Sequence, residues 1–256
     1  MGAYQIPLES VFKRDRAVVI SGLVGISVAG WAYMVFGMGA TCPHTSMHGM
    51  HSWEAADFIL TFIMWTIMMV AMMVPSVAPT VLMYATISRK RHETQEAAVP
   101  AGLFLLGYLV AWTWYSALAT LGQWALWIAA FSPSIDFDPS LFGGGLLLAT
   151  GIFQFTPLKY ACLARCRSPL GFFLKEWREG SWGAFMMGLR SGNFCVICCW
   201  ALMSLMFIAG AMSLFWMAII TAFVLVEKVA PGGKWVSYIS GFFLIVWGIW
   251  MLAFGY

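Results

Sequence analysis

Cys42, His44, His48 and His51 fall within one short segment, CPHTSMHGMHSW, with Met47 and Met50 between them. The whole chain has four histidines and six cysteines, so this is an uneven concentration of metal-ligating side chains. Imidazole and sulfur together suit Cu(I), Cu(II) or Zn(II), and thioethers tilt the set toward copper, with zinc as the alternative. Cys42 has no cysteine near it, which leaves it a ligand, a free thiol or a link to another chain. A polar loop that is merely rich in histidine is the competing reading.

The other five cysteines form two runs. KYACLARC holds Cys162 and Cys166, and NFCVICCW holds Cys195, Cys198 and Cys199. Spacings of three and four residues group side chains on one face of a helix. Lys159, Arg165, Arg167 and Arg190 lie close by in sequence and favour thiolate over thiol. Clustered thiolates suit Cu(I), Zn(II) or iron–sulfur centres, although the spacings match no standard zinc or iron–sulfur run. Because Cys198 and Cys199 point about 100° apart around a helix, the expected seam is Cys195 with Cys199, facing Cys162 and Cys166. Free cysteine also packs well as a small apolar residue, and that alternative stays open.

Between the two sets runs MWTIMMVAMMVPSVAPTVLMY. Met64, Met68 and Met72 recur every fourth residue, and Met69 and Met73 form a second row beside them. The rows rise about 13 Å along the axis, as a thioether path for a soft cation would. Methionine is also an ordinary packing residue in membrane helices. Pro75 and Pro79 follow and are expected to kink the helix.

These residues must be held by apolar elements. Apolar side chains make up 61% of the 256 residues and charged ones 10%, with a mean hydropathy of +0.82. Soluble domains carry about 25% charged residues, so the expected fold is an all-α, polytopic membrane helix bundle. Seven segments are apolar enough to span: about 17–37, 57–87, 101–131, 141–159, 183–210, 212–228 and 236–255. The fifth is expected to begin near Gly192 after an interfacial turn, because Arg190 is costly in hydrocarbon. The absence of a small-residue cleavage site after Lys13, Arg14 and Arg16 reads as a retained first span with its N-terminus inside. That orientation places all fourteen Lys and Arg at the inner face, as expected for a bacterial-type plasma membrane, and the C-terminus outside. Residues 1–256 then form one transmembrane domain, with an outer His/Met/Cys loop at 38–56 and a basic inner loop at 159–182. Gly143, Gly144 and Gly145 are expected at a close helix approach, and Glu227 is expected to pair with Lys228 or Lys159.

A net charge of +3 and the lack of a basic-aromatic pattern argue against nucleic acid. No nucleophile elbow, phosphate loop, metalloprotease helix or dinucleotide fingerprint is present, and no catalytic residue is assigned. The segments WTIMMVAMMVPS, QFTPLKYACLARCRSPLGF, GNFCVICCWALMSLMFIAG and TAFVLVEKVAP resemble an uncharacterised family of predicted metal-binding integral membrane proteins. The resemblance spans roughly residues 57–248 and does not include the histidine loop. It implies that Met68, Met69, Met72, Met73, Cys162, Cys166, Cys195, Cys198 and Cys199 are the family positions, and it implies metal binding. The expected function is copper handling in a bilayer: capture at the outer loop and passage toward the inner cysteines. The alternative is a non-catalytic accessory subunit of a larger membrane complex, with other subunits as partners. A thiol oxidoreductase ranks behind both, because the outer side has no cysteine pair with which to exchange.

Overall fold

The computed structural model describes residues 8–37, 53–92, 98–131, 138–209, 213–230 and 232–255. Every element among them is helical. Helix α1 (Leu8–Ala32) continues into a π-helical turn (Tyr33–Gly37), followed by α2 (Ala55–His92), α3 (Ala98–Phe131) and α4 (Pro139–Phe153). Then come α5 (Pro157–Arg167), α6 (Pro169–Glu176), α7 (Gly180–Ser204), α8 (Met206–Ala209), α9 (Leu214–Val229) and α10 (Gly233–Phe254).

Among the described residues five helices are long and apolar enough to cross a membrane: 16–37, 55–89, 99–130, 180–208 and 233–254. A sixth span results if α4 and α5, bent by 64° at their junction, are taken together. The expected count of seven is not reached, for two physical reasons. Pro157 pushes Thr156 out of helical geometry, to φ −73° and ψ 142°, and so breaks the fourth expected span. Helix α9 has only 16 residues, about 24 Å of rise. One further expectation is corrected. Helix α7 runs unbroken from Gly180 through Arg190, whose guanidinium donates to Glu176 at 2.9 Å instead of sitting above an interfacial turn. The basic stretch 159–182 is largely helical, in α5 and α6. Helix α2 passes through Pro75 and Pro79 as a single element.

Local chemistry explains the helix starts. Asp138 caps α4 by accepting from the Ser140 and Leu141 N–H groups at 2.8 and 3.4 Å, which holds its carboxyl below the usual carboxylate range. Thr156 caps α5 through the Lys159 N–H, and Pro157 occupies the first turn, where no N–H partner is needed.

The most extensive helix contact is α3 against α7. It is possible only because the facing positions are glycines. A methyl group on Gly107 would overlap the Phe185 carbonyl oxygen, and one on Gly188 would overlap that of Phe104. At Gly192 an added Cβ would lie 2.7 Å from the Ala111 Cβ. Helices α4 and α10 meet in the same way, through Gly144 and Gly248. Of the three consecutive glycines in α4, Gly143 and Gly144 face α10, whereas Gly145 meets nothing within 4 Å. Aromatic groups close the two ends of the bundle. Trp65 Nε1 donates to Gln123 Oε1 at 2.7 Å near one end, and Tyr84 stacks on Phe104 and Trp177 at the other.

The expected partner of Glu227 is resolved in favour of Lys159. Both side chains are 0% exposed and form an ion pair, to which Gln154 and Ser237 add hydrogen bonds. The pair joins the α4–α5 break to α9 and α10.

Two predictions test this packing. Gly188→Ala should destabilise the protein by about 1–3 kcal/mol, because the α3–α7 axes must separate. Gly145→Ala, with open space around it, should be neutral or slightly stabilising in the same thermal unfolding measurement. Lys159→Met should cost about 3–5 kcal/mol by leaving Glu227 buried without its counter-charge. The double change K159M/E227M should recover most of that loss; equal damage in the single and double variants would contradict the pairing.

Candidate metal centre

Helix α7 carries Cys195, Cys198 and Cys199, each no more than 1% exposed. Their sulfurs all lie within 4.8 Å of one another, and those of Cys198 and Cys199 are 3.3 Å apart. Two sulfurs bound to one metal at about 2.3 Å lie roughly 4 Å apart, so the set is compact enough to share an ion. The expectation that only Cys199 joins Cys195 is corrected. Positions three and four residues on fall on either side of the starting residue, so Cys198 and Cys199 flank Cys195. Rotation about Cα–Cβ then swings both sulfurs inward.

Among the described residues these three are the one group of His, Cys, Asp or Glu side chains close enough to hold an ion together. Cys166 of α5 stands outside the three-sulfur group, on a helix packed against α7. It is also the one described cysteine that is not fully buried. It borders a small crevice lined by Arg165, Ser191 and Phe194, where the Arg165 guanidinium lies 4.5 Å from the Phe194 ring centroid. Cys162 is buried on the same helix but stands outside the three-sulfur group.

The cluster is held from three other helices. Tyr108 Oη on α3 lies 3.1 Å from Cys195 Sγ, a contact that follows from the glycine crossing one turn away. Lys228 Nζ on α9 donates to Cys195 Sγ and to Ser76 Oγ on α2, both at 2.9 Å. Ser76 in turn donates to the Met73 carbonyl at 2.9 Å and lies 4.0 Å from Met73 Sδ. A cation therefore sits directly against one sulfur of the cluster. Lys228 is free to do this because its neighbour Glu227 points some 100° away around α9, toward Lys159.

Of the α2 methionines, Met73 is tied to the cysteines through Ser76. Met68, Met69 and Met72 lie along the same helix toward Trp65, each no more than 1% exposed. Cys42, His44, Met47, His48, Met50 and His51 lie outside the described residues. Tyr108, Ser76 and Lys228 escaped the sequence reading. Lys228 gave a signal, as one of two charged residues in an otherwise apolar helix, but its partner did not.

The donor set is sulfur-rich, buried and placed against a cation, which fits a soft monovalent metal better than a hard one. No curated protein and no solved structure matches the chain. A family model described as copper chaperone, PpoB2, matches residues 62–251, a stretch that contains α2 from its second turn onward, all five described cysteines and Lys228. With most of its length matched, the chain belongs to the PpoB2 copper chaperone family, and copper is the metal it handles.

Proposed function

We propose that the protein is a membrane-spanning carrier that holds Cu(I) on Cys195, Cys198 and Cys199 and releases it by way of Cys166. The observation that carries this reading is the convergence of three buried thiols within 4.8 Å in a chain of a copper-handling family. Thiolates are the ligands with which Cu(I) competes best against harder ions. Two or three thiolates around a monovalent ion leave a net negative charge, and the Lys228 ammonium offsets part of it in a medium where a lone charge is costly. Partial exposure of Cys166 beside the Arg165 crevice gives the cargo a way out by sulfur-to-sulfur exchange.

Five or six apolar, membrane-length helices support placement in a bilayer. The basic residues of the sequence support an orientation with Arg165, Arg167 and Arg190 at the inner face. In that frame His44, His48 and His51, with Cys42, Met47 and Met50, capture copper outside. Met68, Met69, Met72 and Met73 then lead from that side toward the thiols. A second reading, an accessory subunit of a larger membrane complex, draws on α10. That helix exposes Trp235, Phe242, Phe243 and Trp247, an aromatic face that suits a neighbouring helix as well as lipid.

Copper stoichiometry on the purified chain tests the carrier. The triple variant Cys195→Ser, Cys198→Ser, Cys199→Ser should lose about one tightly held Cu(I) per chain, and Lys228→Met should weaken that ion by about 10–100-fold. Replacing His44, His48 and His51 with alanine should remove outer copper and leave the thiol-bound ion in place. Retention of all copper by the cysteine variant would refute the site. Orientation is read separately by an impermeant thiol reagent applied to intact cells. It should reach Cys42 and miss Cys162 and Cys166, and labelling of Cys166 instead would reverse the topology.

A further inference from the structure

Two sets of contacts fix how α2, α7 and α9 are aligned. At one level Lys228 Nζ touches both Ser76 Oγ and Cys195 Sγ. At the other the Trp65 and Phe207 rings lie with centroids 5.1 Å apart, and Ile219 and Ile220 of α9 share a cavity wall with Leu205 and Ile208. Trp65 precedes Ser76 by eleven residues and Phe207 follows Cys195 by twelve, which is about 16–18 Å along either helix. The α7–α8 span therefore runs antiparallel to α2 and in step with it, while α9 runs parallel to α2.

That alignment brings methionines from three elements to one level. Met206 follows Cys195 by eleven residues, and Met217 precedes Lys228 by the same number. Both arrive about 16 Å from the Cys195 level, where α2 presents Met64 and, one turn closer, Met68. Met64 is 1% exposed, and Met68, Met206 and Met217 are 0% exposed. All four belong to the same buried core.

We propose that Met64, Met68, Met206 and Met217 form a second metal site, an all-thioether station for Cu(I). The proposal rests on the copper-handling reading and adds a site to it. Thioethers are soft and neutral, so they accept a soft monovalent ion without releasing a proton and give little to hard divalent ions. A neutral ligand set leaves the positive charge uncompensated, so the ion is held more weakly here than among thiolates. That difference suits transit: the ion moves downhill from thioethers to the thiolates about 16 Å away. Met203, one turn from Met206, lies between the two levels and provides a step.

Ordinary packing is the competing explanation, and Met→Leu separates the two because it keeps volume and removes sulfur. The full chain in detergent, labelled with 13C at the methionine methyls, is titrated with Ag(I), a redox-inert probe for Cu(I). The four methyl resonances, assigned by single Met→Leu changes, should shift together and saturate. They should do so equally in the chain with Cys195, Cys198 and Cys199 replaced by serine. In M206L/M217L the Met64 and Met68 methyls should no longer respond, while the unfolding temperature stays within a few degrees of the parent. Met217→Leu alone serves the same purpose if the double change perturbs folding. Unmoved methyls at all four positions, or an undiminished Met64 and Met68 response in M206L/M217L, would overturn the thioether site. Undiminished tight copper binding by the serine variant would instead overturn the thiolate site, so the two failures are distinguishable.

Discussion

Helices α3 and α7 approach until carbonyl oxygens of one rest against glycine positions of the other, and the candidate metal centre depends on that approach. The Phe104 carbonyl meets Gly188, the Phe185 carbonyl meets Gly107, and Ala111 meets Gly192. Such close backbone contact adds many small dispersion contacts that larger side chains at these positions would prevent. One turn beyond Gly192, the same closeness puts Tyr108 Oη within hydrogen-bond distance of Cys195 Sγ. The Tyr108 contact to Cys195 thus depends on the backbone approach of two helices.

A second constraint is the handling of charge in an apolar interior. Glu227 and Lys228 are adjacent in sequence and diverge around α9 into two separate polar networks. Glu227 is neutralised by Lys159, and Lys228 is left to face sulfur. With Lys159 as the partner of Glu227, the Lys228 ammonium is left to Ser76 and Cys195. The ion pair at the α4–α5 break and the chemistry of the thiols are therefore linked through one turn of helix. Among the described residues Glu227 Oε2 and Gln154 Nε2 have no hydrogen-bond partner, which fits a position for ordered water in this network.

Much of this was legible in the sequence, and the failures have physical causes. The two cysteine runs, a close helix approach at Gly143 and Gly144, and Lys159 as one of two candidate partners for Glu227 were readable from residue type and spacing. Which sulfurs converge was not, because a helical wheel gives the direction of Cβ and leaves Sγ free to turn. Tyr108 and Ser76 were invisible because they reach Cys195 and Lys228 from positions 87 and 152 residues away in sequence. The count of seven spans is not confirmed: among the described residues five helices qualify, or six with the bent pair, because hydropathy does not register the break before Pro157 or the small length of α9. Copper, favoured at first by a histidine loop that lies outside the described residues, is supported independently by the family match to residues 62–251.

In the proposed bilayer placement, the shortness of α9 has a consequence for the lipid beside it. Its rise of about 24 Å falls roughly 6 Å below a typical hydrocarbon thickness of about 30 Å. Lipids beside such a helix compress, or headgroups and water dip inward to meet its ends, at a cost of fractions of a kcal/mol per ångström. Helix α9 carries both Lys228 and Met217, so in that placement the thinning would coincide with the proposed sulfur route. The dielectric barrier to a cation falls as that layer narrows. A carrier so placed would shorten the distance to be crossed as well as line the way across it.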